Sequence, residues 1–195
     1  MKKLILLSIL SLSLWNCTKA SGQGALQFIV TGNVHGQLDP CGWKKNPLGG
    51  LSRKLVKVNE FKNMGKEPII LDTGDLFFTS NKISELNQES EKYRAEVILT
   101  GYEKIGCDAI NIGDYEFALG LDFFLDKASK TELPFISANI LSSKTGERLF
   151  PANQIIQRGD LSVGIIGLFA KAMSNTDVQV KDYLSEGQAQ IQSLK

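Results

Sequence analysis

From residue 26 onward the chain alternates short apolar runs with longer stretches in which apolar positions recur every three or four residues. The runs at 26–31 (LQFIVT), 68–71 (PIIL), 108–112 (DAINI) and 134–138 (PFISA) have the length and β-branched content of buried strands. Between them, 51–64 carries Leu51, Leu55, Val58 and Phe61 at helical spacing, a core-facing stripe. A second helix is predicted over 89–105 with its stop at Gly106, and a third over 119–129. Further on, 155–168 reads as a hairpin turning at Arg158-Gly159-Asp160, and 185–195 as the start of an amphipathic helix capped by Ser185. This alternation predicts an α/β fold: a mostly parallel sheet covered by helices, joined by right-handed crossovers. There is no internal repeat and no low-complexity segment.

Three successive strands end in glycine-plus-polar clusters: Gly32-Asn33-Val34-His35, Gly74-Asp75 and Gly113-Asp114. In a parallel sheet those ends share one edge, where open α/β sheets keep their chemistry. One such cluster is ordinary turn chemistry; three in succession point to a shared site. His35 is the single histidine of the chain. In an extended segment Asn33 and His35 point to the same side, a usable spacing for two ligands of one ion. A hydrogen-bonded structural histidine is the competing reading.

With 195 residues, 43% of them hydrophobic, the chain holds one full core but not two large domains. A net charge of +1, with basic and acidic residues interspersed, gives no basic patch for nucleic acid. Residues 1–17 (MKKLILLSILSLSLWNC) have the charged start and apolar run of an export signal, too short for a bilayer span of about 20 residues. Leu14-Trp15-Asn16-Cys17 resembles a bacterial lipobox, with Trp15 and Asn16 departing from the usual small residues. Lipidation of Cys17 would anchor the protein to a membrane lipid surface, periplasmic or outward-facing, through its acyl chains. Residues 18–25 then read as a tether, and 26–195 as the folded domain.

The ordered set GNVHG, GGLSRK, LDTGD, NIGDYEF and SANI resembles the N-terminal catalytic domain of the calcineurin-like metallophosphoesterases, in their 5′-nucleotidase branch. The likeness covers roughly residues 26–170. It implies an α/β/β/α sandwich, of which this chain carries the N-terminal part. It also implies two divalent metal ions that activate water against a phosphate ester, with nucleotides as the favoured substrates. Carried over by position, His35 matches an imidazole ligand and Asp75 the bridging carboxylate. Asp72 matches a residue that orients the loop from behind the ligands, and Asn139 one near the site. Arg53 is read as packing or pairing locally.

The departures are as informative. Asn33 stands where the family has an aspartate, and Asp114 where it has an asparagine, a swap that conserves charge and leaves Asn33, His35, Asp75 and Asp114 as candidate ligands. Tyr115 stands where the family has the histidine that stabilises the transition state, and Ala118 where that histidine has its aspartate partner. No histidine follows His35, so the ligands of the family's two later motifs have no counterpart, and at most partial metal occupancy is expected. A phosphoesterase with a degenerate site, a binding lipoprotein that keeps the fold, and a truncated gene product all fit these departures. Of the cysteines, Cys41 and Cys107 are placed at opposite sheet edges, roughly 15 Å apart, beyond the ~7 Å reach of a disulfide. Cys107 is read as a core residue, and Cys41 as a loop residue beside the proposed site. Trp43 in that loop is read as packing, and Glu116 and Asp122 as solvated acids at helix entries.

Overall fold

The computed structural model describes residues 26–42, 45, 48–171, 173 and 175–195. The export signal, Cys17, the tether and Trp43 lie outside the described residues. Four short strands, β1 (Phe28–Thr31), β2 (Ile69–Asp72), β3 (Ala109–Asn111) and β4 (Phe135–Ile136), form a parallel sheet in sequential order. In register, Thr31 lies beside Asp72 and Asp72 beside Ile110. The strand ends at Gly32, Thr73 and Ile112 are therefore neighbours, as the sequence pattern required.

Helices α1 (Leu51–Asn63) and α2 (Gln88–Ile105) bury Val58 and the Ala95, Ile98 and Tyr102 stripe in the same core as Ile70 and Ile110. Gly106 closes α2 in the left-handed conformation (φ 75°), its N–H donating to Tyr102 O at 2.9 Å. Helix α3 (Leu121–Ser129) starts two residues later than its apolar pattern suggests, because Gly120 turns the chain at φ 92°. Its Phe124 stacks edge-on against Phe117 and Phe135, with ring centroids 5.4 and 5.3 Å apart. Each such buried ring stabilises the fold by roughly 1.5–3 kcal/mol. Leu76, Phe77 and Phe78, all at most 1% exposed, directly follow Asp75 and pin that strand tip into the core.

Beyond the parallel sheet, β5 (Ile140–Ser142) pairs with β8 (Val178–Val180), a pairing absent from the sequence reading. The expected hairpin is present as β6 (Asn153–Arg158) and β7 (Leu161–Ile166), turning at Gly159-Asp160. Arg158 fastens it to the far end of the main sheet through Asp108 Oδ1 at 2.6 Å. Helix α4 (Tyr183–Ser193) is capped by Asp182, which accepts the Ser185 N–H at 2.8 Å. Ser185 thus sits inside the first turn, and the cap lies three residues earlier than expected.

Candidate functional site

The three strand tips are laced together by backbone hydrogen bonds rather than left as independent turns. Asn33 N–H donates to Gly74 O, His35 N–H to Asp75 O and Gly36 N–H to Leu76 O, each at 2.9 Å. On the third tip, Tyr115 N–H donates to Asp75 Oδ1 at 2.9 Å. Gly74 and Gly113 make this approach possible: a Cβ on Gly74 would lie 2.7 Å from Gly113 N, and one on Gly113 would strike the Asp75 carboxylate. Asn33, His35, Asp75 and the 114–115 turn are thereby brought to one place.

Asn33 and His35 do not share a face by extended alternation, as their spacing suggested. Both adopt the left-handed conformation, with φ of 52° and 51°, and Asp75 does the same at 55°. They are the non-glycine residues with positive φ among the described residues. Such a backbone costs roughly 1–2 kcal/mol per residue, and strain of this kind concentrates at functional sites.

The side chains are arranged less favourably for metal. The His35 ring lies against the Tyr115 ring, centroids 4.9 Å apart. Asp114 Oδ2 accepts from Asn81 Nδ2 at 3.1 Å. Among the described residues no group of three or more histidine, cysteine or acidic side chains gathers around a common point. The donors present therefore do not fit a two-ion centre.

Glu116 is the buried residue at the strand tips that sequence reasoning missed. Rather than a solvated acid, it is fully buried. Its carboxylate accepts the N–H groups of Asp75 at 3.0 Å, Gly113 at 2.7 Å and Leu76. One carboxylate thus fastens the second tip to the third. Burial pushes its pKa up to about 7, against the opposing pull of the donors. Asp122 is exposed, as expected. Asp72 is buried, and its Oδ1 accepts Gly74 N–H at 3.0 Å, next to the Asp75 turn. Asn139 ties later segments together: Oδ1 accepts Phe169 N–H at 2.9 Å, and Nδ2 donates to Phe169 O and Lys181 O. A cavity of about 590 Å³ opens beside the first tip, lined by Asn33, Gln37, Thr73, Lys54 and Tyr102 among others. Cys41 is exposed and Cys107 buried, both as free thiols. Burial pushes the Cys107 thiol up to about 12, in keeping with a core role.

No family model matches the chain. A 5′-nucleotidase of Vibrio parahaemolyticus is 32% identical over 148 residues, covering 73% of this chain and 24% of that protein. The chain belongs to the 5′-nucleotidase-like metallophosphoesterases. Within that family it corresponds to the N-terminal domain. The fold agrees with the crystal structure of a 5′-nucleotidase precursor from Thermus thermophilus at a TM-score of 0.73 and 24% identity, over 87% of this chain and 34% of that one. It also agrees with the calcineurin-like phosphoesterase YfkN of Bacillus subtilis, at 0.66 and 20% identity over 87% of this chain and 57% of that one. The chain thus spans about a quarter of the Vibrio relative's length and a third of the Thermus chain. Metallophosphoesterases of this kind are hydrolases, generally dependent on two metal ions.

Proposed function

We propose that this protein is an exported, lipid-anchored phosphoesterase-type domain with a degenerate site, which takes a phosphate ester of the nucleotide class and at most one divalent cation. The observation that carries this reading is the left-handed backbone at Asn33, His35 and Asp75, on adjoining strand tips. Three strained residues persist only where the surrounding structure holds them, and here they lie on strand tips whose backbones are laced together. The residues assigned to a cation are Asn33, His35, Asp75 and Asp114. Asp72 and Glu116 hold the loops behind them. The set supplies one imidazole and two carboxylates, too little for a second ion. Tyr115 offers a neutral phenol in place of an imidazolium, and losing one preorganised donor of that kind costs about 10²–10³ in rate. Export rests on the charged and apolar pattern of residues 1–17, and anchoring on Cys17.

A second reading, binding without turnover, is favoured by the His35–Tyr115 ring contact, which turns the one imidazole toward a neighbour. Assay of the purified protein with nucleoside 5′-monophosphates and a chromogenic phosphodiester in Mn²⁺ decides between them. Slow hydrolysis abolished by Asp75→Asn supports the phosphoesterase. Saturable nucleotide binding without hydrolysis supports the binding reading. Neither binding nor hydrolysis would overturn both.

A further inference from the structure

A buried polar cluster beneath the first two strand tips supplies none of the four residues assigned to a cation. Asp72 Oδ2 accepts from Thr31 Oγ1 at 2.5 Å and from the Tyr102 hydroxyl at 2.6 Å, with Lys54 Nζ at 3.5 Å. Lys54 Nζ also donates to Thr31 Oγ1 at 2.6 Å and lies 4.0 Å over the Tyr102 ring. The Lys54 side chain is 9% exposed and that of Asp72 fully buried. Burial lowers the Lys54 pKa despite the Asp72 charge, and raises that of Tyr102.

An ion pair so placed contributes little to stability alone, because desolvating both charges offsets most of their attraction. A fully satisfied buried network instead selects one geometry. Here the geometry selected is that of a single carboxylate. Three donors on Oδ2 fix the plane of Asp72, and Oδ1 then meets the Gly74 N–H at 3.0 Å. Gly74 leads directly into Asp75 at φ 55°. Rotation of Asp72 would release Gly74 and with it the turn that aims Asp75.

We propose that Lys54 of α1 and Tyr102 of α2 are positioning residues that lock Asp72, and through Gly74 set the direction of the Asp75 carboxylate. Its importance to function rests on the reading of Asp75 as a site residue; the coupling itself does not. Neither residue is among those assigned to a cation.

Amide hydrogen exchange of the purified protein tests this, with Tyr102→Phe as the variant because it keeps the ring and removes only the hydroxyl. Loss of one charge-assisted bond at Asp72 accelerates Gly74 N–H exchange by about tenfold. Amides inside α1 and α2, such as Val58 and Ile98, change by less than about a third of that factor. Should Tyr102→Phe not fold, Thr31→Val removes the neighbouring bond to the same oxygen and carries the same expectation. Equal acceleration at Gly74 and in the helices would mean only a loss of global stability and would overturn the proposal. So would an unchanged Gly74. Because the readout is an amide, an absence of cation binding or hydrolysis would refute the functional reading above and leave this result standing.

Discussion

The Glu116 carboxylate, 41 positions further along the chain, accepts the backbone N–H of Asp75 at 3.0 Å. It takes the buried Gly113 and Leu76 N–H groups as well, so three backbone donors on two strand tips converge on one side chain. Removing it leaves those donors without an acceptor, at about 1–3 kcal/mol each. Glu116→Ala is expected to lower unfolding free energy by about 3–5 kcal/mol, read from urea denaturation. Glu116→Gln, which keeps one carbonyl oxygen, is expected to lose about half as much. A loss below about 1 kcal/mol for the alanine variant would show that water replaces the carboxylate.

The left-handed backbone at His35 gives a second expectation. Glycine relieves the strain, while a β-branched residue there increases it. Substitutions at His35 are expected to rank Gly, then Ala, then Val in stability, with Gly and Val separated by about 1–2 kcal/mol in equilibrium unfolding. The glycine variant would still lose cation binding, separating stability from function. An inverted order would mean that position 35 is extended in solution.

The thiols differ in chemistry. Cys41 is exposed, whereas the Cys107 Sγ faces Ile70 O at 3.4 Å inside the core and stays protonated at neutral pH. Under native conditions a thiol reagent is expected to modify Cys41 and leave Cys107 untouched until denaturant is added. Fast labelling of Cys107 would place that end of β3 outside the core.

Tyr115 and Ala118 lie on the turn that follows the third tip. If the missing imidazole limits turnover, Tyr115→His with Ala118→Asp is expected to raise phosphodiester hydrolysis by about 10²–10³ in Mn²⁺. No gain would place the deficit in the cation ligands and remove Tyr115 as its cause.

Much of this arrangement was legible in the sequence. Runs such as 68–71 and 108–112 are apolar and bounded by turn residues, so β2 and β3 follow from local pattern, and their order puts the tips together. The missed features have non-local causes. Glu116 looks like a helix-entry acid until Asp75 and Gly113 surround it. Strands β5 and β8 are three residues each and pair Ser142 with Val178 and Ile140 with Val180, far apart in the chain and with no local signature. Asp182 was readable as a cap, three residues before Ser185, but the hydroxyl drew the assignment. Lys54 falls between Leu51 and Val58 on the buried stripe of α1, a placement that signals a charge facing the sheet.

Manganese titration followed by electron paramagnetic resonance addresses the cation directly. Measurable binding of no more than one ion per chain, lost in both His35→Ala and Asp75→Asn, is the expected result. Two ions per chain, or binding indifferent to His35→Ala, would contradict a single site built on the converged strand tips, as would no binding at millimolar Mn²⁺.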